Sequence, residues 1–167
     1  MKKKVVFGVV SVLLILGIYS VYSRPMTLSQ LYPMIIIDEC TEIKGYYFDG
    51  TQTEFTEFTI ERNSEEFQKL CSLFEQQKYR RSIRDILPRG GRTHQTQPGE
   101  YEFQWDVYFC FENVKLPDGN IGSGAMLNFQ SWYGELDIHF DGEYYSCYTH
   151  QQKEWEREVL EVIKMTQ

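Results

Sequence analysis

Asp137, His139 and Asp141 stand two residues apart, the period of a β-strand, so their side chains share one face. A carboxylate beside an imidazole suits a general base or a metal site, and would make the chain a hydrolase using His139 and Asp137. Asp141 precedes Gly142, however, and that dipeptide belongs in a tight turn. His94 and His150 lack convincing partners nearby in sequence. No phosphate-cradling loop, zinc-spaced cysteine set or nucleophile elbow occurs. The sequence therefore assembles no catalytic set, and no cofactor or metal is expected.

Binding chemistry is better represented. Tyr108, Trp132, Tyr144 and Tyr148 fall on the strand face that also carries Gln104, Asp106, Asn128, Gln130, Asp137 and His139. Rings interleaved with amides and acids can stack on and hydrogen-bond a glycan or a peptide. The plainer reading is the polar second face of an antiparallel sheet, covered by the first hairpin or by the membrane-proximal segment.

A second candidate is the polar stretch 79–97, read as a long loop. Arg80, Arg81, Arg84, Arg89 and Arg92 lie within it, and residues 78–94 carry a net charge of +5. Guanidinium groups take phosphate and carboxylate in bidentate fashion, so anionic lipid headgroups or wall polymers are candidate partners. Self-neutralisation is the alternative, because residues 25–167 hold 13 bases against 24 acids. An acidic body with a pI near 5.0 argues against a nucleic-acid binder.

These side chains need elements to hold them. Ile35, Ile36 and Ile37 suggest a strand over Pro33–Ile43, with Gly45 and Asp49-Gly50 as turns and Thr53–Ile60 as a second strand. Asn63 and Glu66 have capping-box spacing before Phe67, Leu70, Cys71 and Phe74, the apolar stripe of a helix. In Tyr101–Phe111 six large apolar side chains alternate with Glu102, Gln104, Asp106, Tyr108 and Cys110. Burying each of the six contributes about 1.5–3 kcal/mol, so this strand organises the core. Leu127 and Phe129 continue that face, then Leu136, Ile138 and Phe140. A hairpin at Asp141-Gly142 pairs Phe140 with Glu143 and turns Tyr145 and Cys147 inward. Thr149 and Gln152 open a last helix bearing Trp155, Val159, Leu160, Val162 and Ile163. The expected fold is α+β, an antiparallel sheet of about six strands in the order β-β-α-loop-β-β-β-β-α with two helices on one face.

Lys2, Lys3 and Lys4 precede an uncharged apolar run, residues 5–22, closed by Arg24-Pro25. As a helix the run spans about 27 Å, close to the thickness of a bilayer core. The lysines favour a cytoplasmic N-terminus. The division is then 1–24, a signal-anchor transmembrane segment, and 25–167, one extracytoplasmic domain in a single-pass membrane protein. Secretion after signal cleavage is the alternative, with Val21-Tyr22-Ser23 a poor cleavage site.

An oxidising exterior would let the four cysteines pair. Strand and helix parity favours Cys71 with Cys147 through the core and Cys40 with Cys110 outside, each bridge stabilising by about 2–4 kcal/mol. Unpaired, they are small buried apolar residues.

In layout, a lysine-led anchor before one small α+β domain, the chain resembles membrane-anchored extracytoplasmic proteins of unknown function from Gram-positive bacteria. That resemblance implies a location and no mechanism. The expected function is a non-enzymatic, membrane-tethered module binding a ligand or protein partner at the cell surface. The alternatives are an immunity or inhibitor protein masking a basic partner, and the hydrolase above.

Overall fold

The computed structural model describes residues 2–50, 54–82, 103–116, 119–132 and 134–166, with the side chains of the first helix described from Phe7. In chain order the elements are α1 (Lys2–Tyr22), α2 (Leu28–Leu31), a 3-10 turn (Ile37–Glu39), β1 (Glu42–Phe48), β2 (Thr56–Glu61), α3 (Glu65–Gln76), β3 (Tyr79–Arg81), β4 (Gln104–Lys115), β5 (Ile121–Trp132), β6 (Glu135–Phe140), β7 (Glu143–Thr149) and α4 (Gln152–Lys164). The strands form one antiparallel seven-stranded sheet in the order β2-β1-β4-β5-β6-β7-β3.

The α+β architecture follows the alternation in the sequence. Trp105, Val107, Phe109 and Phe111 of β4 face the core with Leu127 and Phe129 of β5 and Leu136 and Ile138 of β6. Helices α3 and α4 cover that face with Phe67, Leu70, Cys71 and Phe74, and with Trp155, Val159, Leu160, Val162 and Ile163. Phe74 is the hub. Its ring centre lies 4.4 Å from that of Phe129, 5.1 Å from Phe109, 5.2 Å from Trp155 and 5.9 Å from Trp105. The polar edges of these large residues are satisfied inside the layer. Trp105 Nε1 donates to the Glu156 carbonyl (3.1 Å), Trp155 Nε1 to the Leu73 carbonyl (3.2 Å) and Tyr79 Oη to the Phe74 carbonyl (2.8 Å).

Four expectations need correction. The isoleucine run is not a strand: it leads into the 3-10 turn, and β1 begins at Glu42, carrying Gly45 in its interior. Ile35 and Ile37 are buried while Ile36 is 55% exposed, so the β-branched run serves a turn that docks on the core. The stretch expected to be all loop starts with a seventh strand, β3, because Tyr79 fills the core and residues 79–81 pair with β7. Ser64, not Asn63, caps α3, its Oγ accepting from the Phe67 N–H at 3.0 Å, while Asn63 adopts φ 76°. At α4 only half of the capping box forms, Gln152 Oε1 accepting from the Thr149 N–H at 3.4 Å, and Gln151 (φ 51°) stands before the helix. The hairpin at Asp141-Gly142 is as expected: both residues have positive φ, and Phe140 pairs with Glu143.

Helix α1 stands apart, with Phe7, Leu13, Ile15, Ile18 and Val21 each more than 60% exposed. Among the described residues, no helix is long and apolar enough to cross a membrane. After α1, Met26 makes an isolated antiparallel bridge to Tyr79 through two 2.8 Å backbone hydrogen bonds, so the chain enters the domain at the β3 edge.

Candidate functional site

The sheet face opposite the helices carries the sequence-predicted ring and amide residues in cross-strand rows. Lys44, Tyr108, Asn128, His139 and Tyr144 are successive neighbours across β1, β4, β5, β6 and β7. The next row is Tyr46, Asp106, Gln130, Asp137 and Ser146 on the same strands. Neighbours in such a row stand close enough for side chains to touch. The first hairpin does not cover this face, since β1 and β2 continue the sheet at its edge. The segment after α1 lies on the core side, where Tyr32 packs edge-on against Phe140 at 5.6 Å.

Asp106 organises the centre of the face. It is only 7% exposed, and its carboxylate accepts from Asn128 Nδ2 at 2.7 Å and Gln130 Nε2 at 3.2 Å. Burial, followed by the nearby Asp106 carboxylate, pushes the Tyr108 hydroxyl up to about 12. An ionised carboxylate only accepts, so both amides must turn their nitrogens toward it. Their carbonyl oxygens are then directed away from Asp106.

Exposed apolar groups frame this centre. Tyr46 is 43% and Met126 47% exposed, and Phe55 stacks on Trp132 with centres 6.1 Å apart while also meeting Phe48 at 5.8 Å. A groove of about 360 Å³ runs between Lys44, Tyr46, Glu57, Thr59, Tyr108 and Met126. A second, of about 180 Å³, lies on the other side of Tyr108 and Met126 against Asn128, His139 and the Asp141–Gly142 turn. Glu42, Glu57, Glu61, Asp106, Glu112, Glu135 and Asp137 all alternate onto this face by strand parity.

His139 and Asp137 fall on neighbouring rows. Asp137 is buried and its Oδ1 accepts from Ser146 Oγ at 2.7 Å, while the His139 ring packs edge-on against Tyr144 at 4.4 Å. Among the described residues, no cluster of histidine, cysteine and carboxylate groups suits a metal ion.

Of the basic island, Arg80 and Arg81 lie on β3, and Arg84, Arg89, Arg92 and His94 lie outside the described residues. Arg81 is already engaged with the rings of Tyr145 and Tyr22. The disulfide pairing expected from parity is not formed: the four cysteines are buried thiols, with no sulfur pair at bonding distance. Cys110 does face outward, near Lys44, but Cys40 follows a 3-10 turn and not a strand, so parity misplaces it. Its side chain is buried in the core, in the same cluster as Cys71.

Sequence reasoning missed Tyr46, Phe55 and Met126. Tyr46 was hidden by reading Gly45 as a turn; the alternation of Ile43, Gly45 and Tyr47 with Lys44 and Tyr46 was the available signal. No family model matches the chain, and neither a curated protein nor a solved structure matches it significantly.

Proposed function

We propose that the protein is a membrane-tethered extracytoplasmic module that binds a partner rich in hydrogen-bond donors and positive charge on the outer sheet face. The observation that carries this reading is the Asp106-centred row, in which the carboxylate holds the Asn128 and Gln130 amides near the exposed rings of the same face. The acidic residues that alternate onto the face set its potential negative, which attracts a basic surface and repels acidic ones. Exposed rings add contact area at small entropic cost, and a cation can sit over them. A basic, aromatic-containing protein segment fits both features.

The tether is the run 5–22. Its support is a helix of 21 residues, Lys2–Tyr22, whose described apolar side chains lie mostly exposed and whose first three residues are lysines that favour an inside N-terminus. The domain then lies outside the membrane. Alkaline extraction of membranes combined with the N-terminal mass tests this, since cleavage in the 21–25 region and a secreted domain would replace the tether.

A second reading shares the same face. An immunity or inhibitor protein masks a basic enzyme or toxin with acidic groups, and the acids aligned here favour it over a glycan-binding role. The hydrolase reading has less support, because Asp137 is buried and accepts from Ser146.

The test uses the full chain in detergent and a fluorescent lysine- and tryptophan-containing peptide as probe. Binding is expected at low salt, to weaken as salt rises, and to fall at least tenfold in Asp106→Asn and in Trp132→Ala. A neutral oligosaccharide should not compete. Binding unchanged by both substitutions would overturn the assignment of the face. Capture of one stoichiometric partner from membranes would favour the inhibitor reading.

A further inference from the structure

The sheet has two edges, and the chain treats them differently. At β3 the outer side is taken by Met26, which exchanges two 2.8 Å backbone hydrogen bonds with Tyr79. At the other end β2 pairs with β1, and among the described residues no further strand or isolated bridge adds to it. Edge strands are ordinarily protected by lysine, proline, a bulge or an inward-pointing charge. Thr56–Glu61 has none of these: its six pairs with β1 run without interruption, and Phe58 and Ile60 point into the core. Glu57, Thr59 and Glu61 alternate with them onto the outer face and are exposed. We propose that β2 accepts an added strand from a basic partner, with lysine or arginine opposite Glu57 and Glu61.

Charge selects the occupant. Glu61 stands opposite Glu42 of β1, and Glu57 opposite Tyr46, whose other neighbour is Asp106. Lys44 reaches Glu42 at 3.2 Å, which leaves Glu61 the more available acid of that pair. Like charges directly opposite destabilise a strand pair, and opposite charges support one. A second copy pairing antiparallel about Thr59 would set Glu57 against Glu61 twice, so self-association is disfavoured. A strand with cations four residues apart meets both acids at once. The main chain then supplies affinity, and alternate side chains supply selectivity. The groove of about 360 Å³ between Tyr46, Glu57, Thr59 and Tyr108 opens beside this edge and can receive a long side chain from the added strand. The proposal rests on the outer face as the site of a basic segment, and adds the form in which that segment binds.

The probe is a short labelled peptide alternating lysine and valine, added to the full chain in detergent. Two derivatives carry N-methyl groups at every lysine or at every valine, because each set of N–H groups lies along one edge of the extended peptide. One derivative should lose binding at least tenfold while the other keeps it. Amides within residues 56–61 should exchange more slowly when the parent peptide is bound, and Glu57→Lys combined with Glu61→Lys should weaken it at least tenfold. Two derivatives that bind like the parent, or unchanged exchange in β2, would overturn strand addition; the face reading then stands if Asp106→Asn still weakens binding. Loss with one derivative but none in Asp106→Asn would keep the edge and sink the face. A parent peptide that does not bind overturns both. Self-association of the chain with β2 protected in the absence of peptide would give the edge to a second copy and overturn the basic partner.

Discussion

The guanidinium carbon of Arg81 lies 4.1 Å from the centre of the Tyr145 ring and 5.9 Å from that of Tyr22. Tyr22 ends α1, Arg81 lies on the edge strand β3 and Tyr145 is in β7, so one cation links the N-terminal helix to the sheet. Arg81 Nε itself is buried without a hydrogen-bond partner. Beside it, the Met26–Tyr79 bridge fixes the chain that follows. Both contacts lie where α1 joins the domain.

Arg81→Ala removes both ring contacts and should destabilise the protein by about 1 kcal/mol, the scale of a partly exposed cation–π pair. Amide exchange over residues 22–26 should quicken, and Arg81→Lys should restore most of the protection. Unchanged exchange would show that the Met26 bridge alone holds the joint.

Gly45 faces the core from β1, and a Cβ there would overlap the backbone carbonyl oxygen of Asp106 on β4. Backbone cannot rotate away as a side chain can, so Gly45→Ala must pry the two strands apart. The expected cost is about 1–3 kcal/mol, as for an overpacked core. Because Asp106 moves with its strand, the same variant should also weaken probe binding on the outer face. A variant with wild-type stability and binding would contradict this close approach.

Phe74 meets four aromatic rings, two of them tryptophans. Phe74→Ala should cost about 3–5 kcal/mol by the denaturant midpoint. Trp105 and Trp155 both pack on the removed ring, so fluorescence emission should shift toward the red in the folded variant. A loss of less than 1 kcal/mol would mean that the surrounding core closes over the cavity.

What the sequence made legible follows from where periodicity is strict. Tyr101–Phe111 alternates without interruption, and its expected inward set from Trp105 to Phe111 is buried. The Asp141-Gly142 turn fixed the register of β6 on β7, and with it the inward position of Cys147. The region before β1 was misread because three β-branched residues favour a strand locally while the core needs only Ile35 and Ile37. Tertiary packing outweighs that local preference. The same misreading put Cys40 on an outward strand position, whereas it follows a turn and is buried in the core. The face chemistry was half visible: ring and amide positions followed from alternation, but the role of Asp106 in orienting Asn128 and Gln130 needed the cross-strand register.

Glu156 is a carboxyl inside the layer between sheet and helix, only 4% exposed, with Oε1 accepting from Gln152 Nε2 at 2.8 Å. Burial pushes its carboxyl up, and hydrogen bonds from Gln152 and Ser131 to the charged form oppose that shift without cancelling it. The folded chain therefore holds this proton more tightly than the unfolded chain does. Its contribution to stability is most favourable below the ordinary glutamate range and is lost as pH rises through the raised folded value. Glu156→Gln keeps an oxygen to accept from Gln152 and Ser131 and cannot ionise. Measured against wild type, the variant should gain stability between pH 4.5 and pH 7.5, and other titrating groups cancel in the difference. Urea midpoints at the two pH values provide the check. A variant that loses ground to wild type as pH rises would mean that the buried carboxylate is stabilised by its partners more than burial costs it.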